Sequence, residues 1–275
     1  MQKINRLVWA EGACFESYGV RIGIRVSQPG AIERLVPFLP PQWKTIEPPR
    51  ELDALYSWVV GGDRRSNVRT FDILYRGVGR IARTLKPEEL FEIFEAKLRI
   101  TVALLSRRFV FIHAAAVGWR GKAVIMPGRS FTGKSTLVEA LVRAGAEYFS
   151  DEYAVLDKNG RVHPFAKPIS VRAPVTLKQE PLGVKDIGGT TAEHPMRVGA
   201  ILATRYRERA KSRFREASPG QGMLDLVANA VAARWAPSRV LTATRKASVG
   251  AIVLRGSRGE AREAAERLLA ILERA

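Results

Sequence analysis

Gly128-Arg129-Ser130-Phe131-Thr132-Gly133-Lys134-Ser135 sets two glycines, a lysine and a hydroxyl in the spacing G-x-x-x-x-G-K-[ST]. Glycines at those offsets let the backbone curl so that successive N–H groups face one point. A helix that starts there adds its dipole, and the point becomes an anion site. Lys134 can then reach the β- and γ-phosphates of a nucleotide, and the Ser135 hydroxyl can bind Mg²⁺. Gly128, Ser130, Thr132, Gly133, Lys134, Ser135 and Thr136 are therefore the expected ATP-binding residues. Lys134 is expected to face solvent before ligand binds. The bland alternative, an ordinary glycine turn, leaves Gly-Lys-Ser at this offset unexplained.

Phosphoryl transfer also needs a carboxylate for the metal and, where a hydroxyl is the acceptor, a base. Asp151-Glu152 follows the first strand predicted after the loop's helix. A carboxylate there sits at the carboxyl end of a strand, where ligands of open α/β sheets gather. Spacing alone leaves open which of the two is base and which is metal ligand. His113 stands in a strand of small apolar residues, Ile112-His113-Ala114-Ala115-Ala116. Lone strand histidines are more often satisfied core residues.

The rest of the chain must position these groups. It has 275 residues, enough for one large domain or two small ones, with 46% hydrophobic and 26% charged residues. That composition excludes a disordered chain. Lys and Arg number 45 against 27 Asp and Glu, a formal charge of +18. Such an excess favours anionic partners without choosing among them. Cys14 is the one cysteine, so no intramolecular disulfide can form, and the three histidines (His113, His163, His194) do not make a structural zinc site. A reducing compartment, the cytoplasm, is expected. No apolar run approaches the roughly 18–20 residues that a membrane span needs. At the N-terminus Glu11 interrupts before a signal-peptide core could develop.

Residues 1–108 read as a small mixed α+β domain. Val20–Val26 alternates as a strand, Pro29–Leu39 suits a short helix, and residues 61–65 suit a loop. Phe71–Tyr75 and Gly77–Ala82 suit further strands, and Pro87–Arg107 carries apolar residues at helical spacing. Trp9, Trp43, Tyr56 and Trp58 are expected in a core or a domain contact. From 109 to 275 strands alternate with helices, which implies an α/β domain. Phe109–Val117 and Lys122–Met126 suit a hairpin, Ser135–Ala144 a helix, and Glu147–Ser150 and Tyr153–Asp157 strands around the acidic pair. Further on, Val198–Arg205, Phe214–Ala217 and Val249–Arg255 suit strands, with helices near Met223–Arg234 and Glu260–Arg274.

With hairpin, P-loop and acidic pair assembled, residues 109–275 resemble the catalytic domain of HPr kinase/phosphorylase. The resemblance rests on FIHAAAV, the loop GRSFTGKS, a helix ending RAGA, the acidic pair in YFSDEYAVLD, HPFAKPISVR and the final strand and helix. It covers 109–175 well, 198–275 loosely and 1–108 hardly at all. It implies an α/β P-loop fold shared with phosphoenolpyruvate carboxykinases, and a reaction in which ATP phosphorylates a serine hydroxyl with Mg²⁺. Gly128, Gly133, Lys134 and Ser135 fall on the family's phosphate and metal residues. Asp151 falls on the first carboxylate of the family's acidic pair, which acts on the acceptor hydroxyl, and His113 falls on a histidine near that pair; Asp151, Glu152 and His113 are the candidate catalytic residues, Ser135 and Glu152 the candidate metal ligands, with the division between base and ligand left open. Two departures stand out. Glu152 replaces an aspartate, and the glutamate-isoleucine-arginine-glycine signature of the reverse phosphorolysis is missing, with Arg172 near its place. A kinase is expected rather than a phosphorylase.

Arg205 to Arg215 holds six basic residues, one acid and two aromatics. A solvated loop is the commoner meaning of such a run, and docking of an acidic protein or peptide acceptor is the next. No nucleic-acid-binding module is visible, so nucleic acid is not the expected partner. A homo-oligomer is compatible with the sequence. The alternative functions are a regulatory nucleotide-binding module or NTPase, and a kinase of a small molecule.

Overall fold

The structure is a computed structural model and describes residues 7–62, 70–128, 132–172 and 179–274. It is mixed α/β, with several sheets, and divides into two compact units, Met1–Arg107 and Arg108–Ala275.

The first unit contains β1 (Glu11–Ser17), β2 (Val20–Val26), β3 (Lys44–Ile46), β4 (Ala54–Val59), β5 (Asp72–Arg76), β6 (Gly79–Thr84) and α1 (Pro87–Leu105). These strands form one sheet in the order β3-β1-β2-β4-β5-β6, with only β2 and β4 parallel. Alternation puts Val20, Ile22, Ile24 and Val26 on its buried face. Leu90, Phe94, Leu98 and Val102, at helical spacing on α1, are buried as well, and α1 packs on β5 and β6. Two large aromatics in this core have their polar atoms satisfied. The Tyr56 hydroxyl lies 2.9 Å from that of Thr101, and the Trp58 indole donates to Asp72 at 2.9 Å. Trp43 departs from the expected burial, being 39% exposed at the start of β3. The expected helix at 29–39 is a 3-10 turn, Glu33–Phe38, because Pro37 lies inside it and cannot donate a helical hydrogen bond. β1 was not expected: its polar Glu11, Glu16 and Ser17 blur the alternation, and pairing with β2 and β3 makes the strand. Of the expected 61–65 loop, residues 63–65 lie outside the described residues.

The second unit begins with a hairpin of β7 (Val110–Trp119) and β8 (Lys122–Pro127), followed by α2 (Lys134–Arg143). Next come β9 (Glu147–Ser150), β10 (Tyr153–Leu156), β11 (Arg161–His163), and the separate pair β12 (Ile169–Arg172) and β13 (Gln179–Leu182). The chain continues through β14 (Met196–Tyr206), β15 (Arg213–Ala217), α3 (Pro219–Ala228), α4 (Pro237–Ser248), β16 (Ile252–Arg258) and α5 (Ala261–Glu273). The sheet order is β11-β10-β7-β8-β14-β16-β15. β8, β14 and β16 are mutually parallel, so their carboxyl ends share one edge.

Both faces of this sheet are covered, which is why its strands read as continuous apolar runs. Ala115, Val117, Val124, Met126 and Leu254 pack against Leu137, Leu141, Leu268 and Leu269 of α2 and α5. Ile112, Ala114, Ile125 and Ile201 pack against Leu226, Val240 and Ala243 of α3 and α4. The helix expected at 223–234 runs over Pro219–Ala228 instead. Ser218 caps it by accepting the Gln221 N–H, and Pro219 is preset for the first turn. The following α4 was not foreseen. Among the described residues no helix is long and apolar enough to cross a membrane.

One irregularity matters for the site. β9 and β10 both run along the same edge of β7, β9 beside Ala116–Gly118 and β10 beside Val110–His113. Between them the ladder is interrupted at Asp151 and Glu152.

Candidate functional site

The interruption is held by short-range bonds. The Ser150 hydroxyl accepts the N–H groups of Glu152 and Tyr153, each at 3.0 Å. The Glu152 carbonyl accepts the Ala114 N–H at 3.2 Å and meets His113 Nδ1 at 3.0 Å. A carbonyl only accepts, so Nδ1 carries the proton and Nε2 is the ring's basic nitrogen. His113 also accepts the Gly128 N–H through its own carbonyl, at 3.2 Å. One strand residue thus ties the acidic turn to the start of the glycine loop.

Asp151 is 5% exposed, and donors surround its carboxylate. The Ser135 hydroxyl donates to Oδ2 at 2.9 Å and the Ser170 N–H to the same oxygen at 3.0 Å. The Tyr148 hydroxyl donates to Oδ1 at 3.1 Å. Lys167 Nζ stands 3.6 Å from Oδ1 and 3.5 Å from Oε2 of Glu152. The glycine-loop hydroxyl and the acidic turn, 16 positions apart, therefore meet. Ser135 meets Asp151, not Glu152.

At the loop itself, Gly133 begins α2 with φ +81°, a left-handed conformation that glycine adopts freely. A Cβ there would also lie 2.1 Å from Arg258 Nη2, so the position excludes side chains twice over. Arg258 is 3% exposed at the carboxyl end of β16 and donates to the Gly133 carbonyl at 2.7 Å and to the Gly259 carbonyl at 3.0 Å. Its guanidinium lies 5.1 Å from the centre of the Tyr206 ring. Lys134 does not face solvent as expected: it is half-buried and donates to the Gly128 carbonyl at 2.8 Å. Burial lowers the Lys134 pKa, against attraction from Asp151 and Glu152 that raises it. Thr132 is half-buried and Thr136 exposed, both beside Lys134 and Ser135. Ser130 and the Arg172 side chain lie outside the described residues.

Ser135, Asp151 and Glu152 offer hard oxygen donors, which suit Mg²⁺. Among the described residues no three His, Cys, Asp or Glu side chains cluster to cage a metal by themselves. That donor set fits an ion carried in on phosphate oxygens and completed by a few protein ligands. The six basic side chains between Arg205 and Arg215 are exposed. The first of them lie where β14 ends, at the sheet edge that also carries the glycine loop. The backbone beneath is fixed, with Arg207 N–H donating to the Arg258 carbonyl at 2.9 Å and Ser212 N–H to Glu263 at 3.1 Å.

Burial, then the charge of Asp151, raises the Tyr148 phenol far above its usual pKa, and burial raises those of Tyr18 and Tyr56. A folded-state pKa above the unfolded one gives stability that is complete below the unfolded value, about 10, and lost as pH rises past it. The urea midpoint should hold from neutral pH to about 9 and fall steeply above about 10. A flat profile to pH 11 would show that these phenols ionise freely.

Sequence reasoning brought Gly128, Thr132, Gly133, Lys134, Ser135, Asp151, Glu152 and His113 into view, and these lie together. It missed Tyr148, Lys167, Ser170 and Arg258. Pro164 and Pro168, bracketing Lys167, are the one local sign that this segment is held rigidly. No protein-family model and no curated protein matches the chain.

Proposed function

We propose that the 108–275 unit is a P-loop kinase of the HPr kinase type, which transfers the γ-phosphoryl group of ATP to a serine hydroxyl of a protein or peptide. The observation that carries this is the Ser135–Asp151 hydrogen bond, 2.9 Å long, which joins a G-x-x-x-x-G-K-S loop to an acidic turn. The N–H groups that open α2 receive the phosphates, and Lys134 exchanges the Gly128 carbonyl for phosphate oxygens. Ser135 and Asp151 would hold Mg²⁺, which neutralises charge on the transferred group. Asp151 already accepts three hydrogen bonds and so acts as a fixed negative charge. Glu152 is then the base, a reversal of the order that the family resemblance implies. The acceptor oxygen bonds to the γ-phosphorus, the bond to the β–γ bridging oxygen breaks, and the hydroxyl proton passes to Glu152. His113 holds the Glu152 backbone for this step. With one cysteine, Cys14, the chain suits the reducing cytoplasm.

Incubation with γ-labelled ATP and host extract tests the proposal. The expected product is acid-stable label on serine of one protein species. Label found only in inorganic phosphate would make the unit a hydrolase.

Two further outcomes follow from the neighbourhood of the loop. Arg258→Met removes a charged donor from the Gly133 carbonyl, an interaction worth about 1.5–3 kcal/mol. Nucleotide affinity should fall roughly tenfold or more, with a lower melting temperature. Unchanged affinity would separate Arg258 from the loop's function. Arg207, Arg209 and Arg213 are exposed, and their replacement by serine should raise the acceptor KM and flatten its salt dependence, because such charges act through screened long-range attraction. ATP affinity should not change. An unaltered KM would reduce the segment to a solvated loop and leave the acidic acceptor unsupported.

A further inference from the structure

We propose that Lys167 is a tethered counter-ion beside the divalent-metal position at Asp151, so that metal binding becomes conditional on nucleotide. The inference rests on the nucleotide-site reading above and concerns what keeps the site from loading metal alone.

The lysine is centred between two carboxylates, ion-paired with both and tightly bonded to neither. Its ammonium is 3.6 Å from Asp151 Oδ1 and 3.5 Å from Glu152 Oε2, both beyond ordinary hydrogen-bond length, and among the described residues it donates a close bond to the Ser170 hydroxyl at 3.0 Å. The three side chains are shielded from water, with exposures of 15% for Lys167, 2% for Asp151 and 19% for Glu152. Screening is weak there. The segment that carries Lys167 is anchored by Phe165, which is fully buried, edge-on to Phe111 and Tyr153, and bonded through its N–H to the Phe149 carbonyl at 3.0 Å. The cation is held in position by packing.

Two adjacent carboxylates taken out of water repel each other and need a counter-charge. Lys134 is attracted by both and donates to the Gly128 carbonyl, and among the described residues Lys167 is a cation lodged between the two carboxylates. A divalent ion held by Asp151 and Ser135 would share the Asp151 carboxylate with this ammonium, 3.6 Å from Oδ1, and that positive charge opposes binding strongly at low dielectric. The phosphates of a nucleotide bring enough negative charge for both cations to stay. By linkage, nucleotide and metal then raise each other's affinity by the same factor.

The test is Mn²⁺ binding, followed by the electron paramagnetic resonance of the free ion, with and without ADP. It compares wild type, Lys167→Gln and Lys167→Arg. Glutamine keeps a hydrogen bond for Ser170 and loses the charge; arginine keeps the charge. Without nucleotide, Lys167→Gln should bind Mn²⁺ at least about tenfold more tightly than wild type, and the effect of ADP should shrink by the same factor. Lys167→Arg should resemble wild type. Adding Asp151→Asn to Lys167→Gln should erase the gain and so place the ion at the acidic turn. Equal Mn²⁺ affinity in wild type and Lys167→Gln without nucleotide, with both folded by circular dichroism, would overturn the proposal. Failure of the nucleotide-site reading looks different: ADP would then change Mn²⁺ affinity in none of the proteins.

Discussion

Lys134→Met should abolish the proposed phosphoryl transfer and leave the nucleotide-free protein at least as stable as wild type. The two halves of this expectation have one cause. Burial lowers the Lys134 pKa from its ordinary value near 10.5, although Asp151 and Glu152 attract the charge. A folded-state pKa below the unfolded one means stability that is present above the unfolded value and lost as pH falls through the folded one. Burial disfavours the charge of this lysine, and methionine removes that cost. Bound phosphates reverse the sign, because their oxygens receive the ammonium directly. Loss of one preorganised donor to developing charge costs about 10²–10³ in turnover, and the loss here should be at least that large. Melting curves of the nucleotide-free protein and labelled transfer assays decide it. A destabilised variant that still transfers phosphate would contradict both halves.

Substitutions of the acidic pair should part company. Asp151→Asn replaces an acceptor-only group, met by Ser135, Tyr148 and the Ser170 N–H, with an amide that has one accepting oxygen. With its oxygen at the Oδ2 position the amide keeps Ser135 and the Ser170 N–H, but it turns its NH₂ toward the Tyr148 hydroxyl and the Lys167 ammonium, which lose their acceptor. Mg·ATP affinity should fall at least about tenfold and the melting temperature should drop, since a buried donor left unmatched costs about 1–3 kcal/mol. Glu152→Gln should leave nucleotide affinity nearly unchanged and cut turnover by about 10²–10⁴-fold, the usual contribution of a general base. Calorimetric affinities set beside saturated rates separate the two patterns. The opposite split would return the base to Asp151 and the metal to Glu152.

The difference between these roles is something a linear sequence does not display. The start of α2 at the glycine motif was legible because its cause is local: Gly133 supplies the left-handed turn from which the helix begins. The acidic pair was legible as a pair, since Asp151 and Glu152 follow a strand. Which carboxylate meets Ser135 depends on how β9 and β10 share one edge of β7, a register set by tertiary pairing. Arg258 reaches Gly133 across 125 positions, and an arginine that ends a strand gives no sign of being buried. Lys134 misled for the same reason. Its half-burial and its bond to the Gly128 carbonyl come from the folded arrangement, not from the pattern of its neighbours in the chain. In the first unit Val20–Val26 was plain from its alternation, whereas β1 became a strand through its partners. The α3–α4 region shows a further limit: Ala-rich residues from 223 to 234 continue a helical pattern, yet the helix stops at Ala228, where Asn229 turns its side chain back to the Asp225 carbonyl at 2.8 Å.

Calorimetric titration of Mg·ATP into the protein shows whether the 128–135 segment and the acidic turn form one Mg²⁺-nucleotide site. Saturable binding of one nucleotide per chain is expected, weakening when Mg²⁺ is chelated and disappearing in Lys134→Met. Absence of binding at millimolar Mg·ATP, or equal binding by Lys134→Met, would contradict it.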